Sequence, residues 1–175
     1  MKRKEFGLNI NLKFKKMITE KDKEFIKRAI ELSEKGMDNN AGGPFGAVIV
    51  KDGEVVAEGY NKVTSSNDPT AHAEVVAIRE ACKNLNSFQL DGCIIYTSCE
   101  PCPMCLGAIY WARPMAVYYA CTKEDAAEIG FDDHFIYEEL DGKMEDRSIK
   151  FINLSREEGR VVFKKWEDKE GRVDY

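Results

Sequence analysis

Apolar residues recur along the chain with two different periods, and each change of period marks an expected element. Residues 25–30 follow a helical spacing. Thr19 and Asp22 resemble a capping pair that opens this helix, and Gly36 marks its end. Short apolar runs instead predict strands. Two such runs flank Asp52-Gly53, which is typical of a hairpin turn.

Beyond the hairpin, expected helices and strands alternate. The pattern predicts strands at 47–50, 55–60, 93–97 and 115–120, and helices at 71–83, 103–112 and 122–128. This alternation favours an α/β fold whose later strands run parallel, and we expect a three-layer α/β/α sandwich. After Tyr137 the pattern is weaker. Residues 151–154 form a candidate strand, and Ser155 with Glu158 forms a candidate cap for a last helix.

The first seventeen residues differ from the rest in composition. Apolar side chains alternate there with a period of two, which indicates either an additional edge strand or a basic tail. Residues 1–16 carry six Lys or Arg and one acid, a net charge of +5, so the remainder must sum to −10 because the whole chain carries −5. We therefore expect an N-terminal extension at 1–17 and one domain at 18–175.

The overall composition is that of a globular protein, with 43% hydrophobic and 33% charged residues among 175. The basic start is not followed by the apolar block of a signal peptide, and no apolar run approaches the roughly 18 residues of a membrane span. We therefore expect a cytoplasmic protein. An acidic body repels phosphate backbones, which disfavours extended nucleic-acid binding.

Two short motifs provide the chemistry of a metal site. His72 and Glu74 stand at the start of one predicted helix, and Cys102 and Cys105 stand at the start of another. One imidazole and two thiolates leave the fourth position of a tetrahedral zinc site open for water, as in catalytic zinc sites. Glu74, close to the ion but not bound to it, could then carry a proton from that water to a substrate.

The cysteine spacing leaves the ligand choice open. Cys99 forms a second Cys-x-x-Cys with Cys102, and we favour Cys102 with Cys105 because Pro103 suits the first turn of a helix. A cytosolic compartment keeps thiols reduced, so the remaining cysteines are interpreted as small buried apolar residues. These are Cys82, Cys93 and Cys121.

Taken together, His72-Ala73-Glu74 and Pro101-Cys102-Pro103-Met104-Cys105 match the His-x-Glu and Pro-Cys-x-x-Cys motifs of zinc nucleobase deaminases. The segments 66–74, 96–102 and 107–114 resemble more narrowly the bacterial guanine deaminases of the cytidine/deoxycytidylate deaminase superfamily. The resemblance is close over about residues 25–137. It implies a cytidine-deaminase-like sheet of about five strands.

The resemblance also implies a role for individual residues. Zinc, one ion per subunit, would bind His72, Cys102 and Cys105, with Glu74 as proton shuttle. Asn61 and the Ala73 amide would contact the base, Phe45 would line the pocket, Asp133 would read the purine's polar edge, and the terminal aromatic Tyr175 would close over it. The family forms homodimers that exchange C-terminal segments, here about 140–175.

The expected reaction is the hydrolysis of guanine to xanthine and ammonia, a step of purine metabolism. Two alternatives share the zinc motif: a tRNA adenosine deaminase, which should carry a basic face for RNA, and a cytosine deaminase. A zinc-stabilised binding module is a further alternative, and it would need a fourth protein ligand such as Cys99.

Overall fold

A computed structural model describes residues 18–174. Its order of elements runs from α1 to α7, with one 3₁₀ turn before the last helix. The elements are α1 (Glu20–Asp38), β1 (Gly46–Lys51), β2 (Glu54–Tyr60), α2 (Val63–Ser66), α3 (Ala73–Leu85), β3 (Cys93–Cys99), α4 (Pro103–Ala112), β4 (Ala116–Cys121), α5 (Lys123–Glu128), α6 (His134–Asp141), the 3₁₀ turn (Met144–Asp146) and α7 (Arg156–Glu167).

The predicted start of the first helix and the predicted hairpin are both confirmed. Thr19 caps α1 through a reciprocal pair of hydrogen bonds with Asp22. In the hairpin between β1 and β2, Asp52 and Gly53 both adopt positive φ values, 52° and 83°. Such a turn has the twist that two antiparallel strands require, which is why Asp-Gly was informative at this position.

The described strands form one mixed sheet in the order β2-β1-β3-β4. β1 pairs antiparallel with both β2 and β3, whereas β3 and β4 are parallel and joined by α4. The three-layer α/β/α sandwich is also confirmed. Ala29 of α1 packs with Val48 and Tyr96 on one face of the sheet. Ala77 of α3 and Ile109 of α4 pack on the other.

The predicted count of about five strands differs from the four that residues 18–174 contain. The candidate strand at 151–154 is wrong, because this stretch is exposed and belongs to no strand. An apolar run becomes a strand only when a neighbouring strand satisfies its backbone. The other candidate, within residues 1–17, lies outside the described residues.

The structure differs from the predicted pattern in two more ways. The last helix starts at Arg156 as the sequence indicated, but Ser155 has a φ of 54° and its side chain makes no capping hydrogen bond. The short helices α2 and α6 were not predicted, because runs of four and eight residues carry little periodicity. Within the described part of the chain, no helix has both the length and the apolar character of a membrane span.

Candidate metal centre and adjoining pocket

The candidate metal ligands come from the starts of two helices on the same side of the sheet. His72 is the N-cap residue of α3 and Cys102 is the N-cap residue of α4, and neither uses its side chain to cap its helix. Cys105 lies one turn into α4, after Pro103 at the first helical position. Helices α3 and α4 pack against the same face of the sheet, so their starts converge.

The three side chains approach each other closely enough to hold one ion. His72 Nδ1 lies 3.5 Å from Cys102 Sγ and 3.5 Å from Cys105 Sγ. All three ligand atoms lie within 4.8 Å of one another. A tetrahedral site with zinc bonds of about 2.3 Å to sulfur and about 2.0 Å to nitrogen places these atoms about 3.5 Å apart. The geometry therefore fits zinc with one position left for a non-protein ligand.

Cys99 is excluded from this group by its own contacts. It ends β3, and its Sγ faces the carbonyl oxygen of Thr122 at 3.4 Å. Burial raises the pKa of this thiol to about 12, which keeps it protonated and a poor ligand. The described residues contain no other group of three side chains placed to hold a metal ion. The geometry of the described residues therefore favours Cys102 with Cys105, rather than Cys99, as the candidate thiol ligands.

Contacts among the three candidate ligands shift their pKa values. Hydrogen bonds from Cys105 and His72 lower the pKa of the Cys102 thiol to about 4, despite its burial. The same Cys102 contact raises the pKa of His72. The pKa of Cys105 is raised, because this sulfur keeps the proton that the pair shares. A divalent cation binds thiolates and would displace that proton.

Glu74 lies beside the metal group but outside it. Only 6% of this residue is exposed, and burial is the main reason that the pKa of its carboxyl is raised. Oε2 lies 3.5 Å from Cys105 Sγ, while Oε1 lies 3.3 Å from Thr97 Oγ1 on β3. A buried carboxyl at the edge of a metal site, with a raised pKa, suits a group that accepts and then returns a proton.

A pocket of about 510 Å³ opens next to this group, and His72, Glu74 and Cys102 are among the residues that line it. Asn61, Phe45 and Asp133 also line the pocket, so the structure brings these three predicted residues together. The Ala73 amide is in the first turn of α3, where helix N–H groups have no partner within the helix. Tyr175 lies outside the described residues.

The polar residues of the pocket keep groups available for a ligand. The side-chain oxygen of Asn61 accepts a hydrogen bond from the Val63 N–H at 3.0 Å, which leaves its NH₂ group to the pocket. Asp133 is the N-cap residue of α6 but does not cap it with its side chain. Partial burial and then the charge of Cys102 raise the pKa of the Asp133 carboxyl.

The structure adds an aromatic wall that the sequence analysis missed. The Phe131 ring packs edge-on against the Phe45 ring, with centroids 4.9 Å apart. Gly43 makes this contact possible, because a Cβ there would come within 2.7 Å of the Phe131 ring. Close packing against this aromatic ring is therefore a physical reason for glycine at position 43.

Residues 19–121 match the family model of the cytidine and deoxycytidylate deaminase zinc-binding region. The chain is 60% identical to guanine deaminase of Bacillus subtilis over 151 residues, which cover 86% of this chain and 97% of that one. The X-ray structure of the Bacillus subtilis protein superposes with a TM-score of 0.85 at 59% identity, over 87% of this chain and 98% of that one.

Two further relatives are less similar to this chain. A tRNA-specific adenosine deaminase of Aquifex aeolicus is 41% identical over 96 residues, which cover 55% of this chain and 63% of that one. A guanine deaminase structure from Nitrosomonas europaea superposes with a TM-score of 0.59 at 33% identity, over 62% of this chain and 63% of that one. The similarity to these proteins covers less of both chains.

Proposed function

The chain belongs to the zinc-dependent cytidine and deoxycytidylate deaminase family, and on that premise we propose that it hydrolyses guanine to xanthine and ammonia. One observation carries the proposal. The His72, Cys102 and Cys105 group lies beside a buried carboxyl, Glu74, and three of these four residues, His72, Cys102 and Glu74, line the pocket. The near full-length similarity to a guanine deaminase then selects guanine among the bases that such a site can process.

The reaction adds water to C2 of guanine and releases the 2-amino group as ammonia, which leaves a carbonyl at C2. Zinc held by His72, Cys102 and Cys105 would lower the pKa of a bound water molecule and so supply a nucleophile near neutral pH. Glu74 accepts a proton from the attacking water and returns it to a ring nitrogen of the base, and it then passes the proton of the new C2 hydroxyl to the departing amino group. Because its carboxylate is buried and next to the metal group, these proton transfers take place away from bulk solvent.

The remaining pocket residues are proposed to orient the base. The free NH₂ group of Asn61 and the N–H of Ala73 are donors that suit the purine's carbonyl oxygen. Asp133 is an acceptor that suits N–H groups of the purine's polar edge. Phe45, supported by Phe131, offers a flat apolar wall on which a base can stack. Tyr175 is proposed, from the family resemblance alone, to close over the site.

An RNA substrate fits this chain less well. The part of the chain outside residues 1–16 sums to −10, whereas a protein that grips an anticodon stem needs a basic surface. The tRNA-specific relative from Aquifex aeolicus also matches only 55% of this chain. A purely structural zinc module would need a fourth protein ligand, and Cys99 faces Thr122 instead.

We further propose that residues 18–175 act as one deaminase domain, with one zinc ion per subunit, in a homodimer that exchanges segments 140–175. The supporting observation is the exposed apolar surface of that segment, where Ile152 and Leu154 are 84% and 85% exposed. Such side chains normally contact another surface. A cytoplasmic location is proposed because all six cysteines are free thiols, as a reducing compartment favours.

Ammonia release tests the reaction directly. Zinc-loaded protein is incubated separately with guanine, cytosine, adenine and an anticodon stem-loop that contains adenosine. We expect ammonia from guanine, with xanthine formed in equal amount. Ammonia only from the RNA, or only from cytosine, would contradict the proposed substrate.

A further inference from the structure

One buried hydroxyl stands out in an otherwise apolar row of the sheet. On β3, the side chains of Cys93 and Ile95 belong to the core that α3 and α4 cover, and Thr97 continues the same row with 1% of its surface exposed. A buried hydroxyl costs free energy unless it is hydrogen-bonded, and valine has nearly the same shape without that cost. The hydroxyl of Thr97 therefore needs a partner.

Thr97 has two possible acceptors. Its Oγ1 lies 3.3 Å from Glu74 Oε1 and 3.4 Å from the carbonyl oxygen of Gly46. A hydroxyl has one proton to donate, and a hydrogen bond to a charged carboxylate is about twice as strong as one to a neutral carbonyl. When Glu74 is ionised, Thr97 therefore donates to Glu74.

The two oxygens of the Glu74 carboxylate therefore have different neighbours. Oε1 is held against the sheet by Thr97, whereas Oε2 lies at the metal group, 3.5 Å from Cys105 Sγ. We propose that Thr97 is a positioning residue that anchors Oε1 and thereby aims Oε2 at the water to be deprotonated. The inference rests on the proposed function, since it assigns Thr97 a role in the proton transfers of Glu74.

The first test separates turnover from binding. Replacing Thr97 by Val removes the hydroxyl and keeps the shape, so we expect kcat on guanine to fall about tenfold to a hundredfold, with KM and zinc content close to wild type. Thr97→Ser keeps a hydroxyl and should restore most of kcat. Ser33→Ala, which removes another buried hydroxyl, bonded to the Ile30 carbonyl oxygen at 2.7 Å, is the matched control for stability and should keep kcat.

The second test asks whether Thr97 acts through Glu74. In a Glu74→Gln background the proton shuttle is already lost, so adding Thr97→Val should lower the residual kcat no further. If Thr97→Val lowers kcat by the same factor in both backgrounds, the two residues act independently and the proposal is wrong. A wild-type kcat in Thr97→Val, or a change in KM alone, would overturn it equally.

The third test does not depend on the substrate. In a crystal structure of zinc-loaded Thr97→Val, the Glu74 carboxylate should be rotated away from its wild-type position or occupy more than one. An unchanged, single position would overturn the proposal even if guanine proved not to be the substrate. Should Thr97→Val fail to fold, Thr97→Ala removes the same hydroxyl and must show the same displacement. Failure of the proposed function would instead appear as no ammonia from guanine with the wild-type protein.

Discussion

The part of the chain up to Ala112 and the part after it differ sharply in how deeply their side chains are buried. Up to Ala112, the strands and helices around the metal group contain residues that are fully buried, such as Ala47, Ile49 and Cys105. After Ala112, no residue within the described range up to 174 is buried, and large apolar side chains such as Phe163 are mostly exposed. The part of the chain that holds the candidate metal ligands therefore has a buried core of its own, whereas the described part after Ala112 adds no fully buried residue to that core.

The residues of the candidate site that lie in these two parts of the chain differ in burial in the same way. His72, Glu74 and Cys105 are fixed by helices that pack on the sheet, which is the rigid support that a metal site and a proton shuttle need. Asp133 and Phe131 lie on the connection between α5 and α6, at the exposed side of the same pocket. Changes at His72, Glu74 or Cys105 should therefore abolish chemistry, and changes at Asp133 or Phe131 should mainly weaken substrate binding.

The largest effect is expected from loss of a metal ligand. Cys105→Ser should remove most of the bound zinc and lower turnover by at least about a thousandfold, because the attacking water is no longer acidified. Zinc content and ammonia release measure the two effects. Cys99→Ser is the matched control, since Cys99 faces Thr122, and it should keep its zinc. Equal zinc loss in both variants would contradict the ligand assignment.

Next in size is the loss of the proton shuttle. Glu74→Gln keeps the shape and the neighbouring ligands but cannot accept a proton, so kcat should fall about 10²- to 10⁴-fold with zinc fully retained. Steady-state kinetics and metal analysis on the same preparation check this. Near-normal turnover would show that another group moves the proton.

A smaller effect is expected at the exposed side of the pocket. Asp133→Asn should lower kcat/KM for guanine by about tenfold to a hundredfold, mainly through KM, because one charged hydrogen-bond acceptor is lost. Asp132→Asn is the matched control, since the Asp132 carboxylate accepts from the His134 N–H at 2.9 Å. If the two variants behave alike, Asp133 has no special role in reading the base.

The smallest effect on the chemistry is expected from the C-terminal segment. Introducing aspartate at Ile152 or Leu154 should dissociate the proposed dimer, leave zinc content unchanged and raise KM by about threefold to tenfold, since the apolar contact surface is lost. Light scattering gives the mass and kinetics give KM. Lys150→Asp, a change at a charged position of the same segment, should leave the mass unchanged. A wild-type chain that is monomeric would remove the basis for the proposed exchange.

Burial also separates the elements that the sequence predicts well from those that it does not. Helix α4 was predicted with the bounds Pro103–Ala112 that the structure has, and the strand at 93–97 lies within β3. Buried elements impose a hydrophobic period, and proline marked the start of α4. The start of α4 was thus predicted correctly and that of α3 to within two residues, and these two helix starts carry the candidate metal ligands.

The rest depends on contacts that a local pattern does not contain. The stretch 151–154 has the composition of a strand but no pairing partner, and Ser155 has a positive φ that no capping pattern indicates. Asn61 and Asp133 were identified only through the family resemblance, since a single polar residue in a loop carries no period. Thr97 was missed because a threonine in a strand is ordinary until its neighbour is known to be Glu74.

The central claim is a zinc ion with three protein ligands and one open position. X-ray absorption at the zinc edge of the loaded protein measures this most directly. The account predicts two sulfur neighbours at about 2.3 Å, one imidazole nitrogen at about 2.0 Å and one further light atom from solvent. A third sulfur, or four ligands all supplied by the protein, would contradict it.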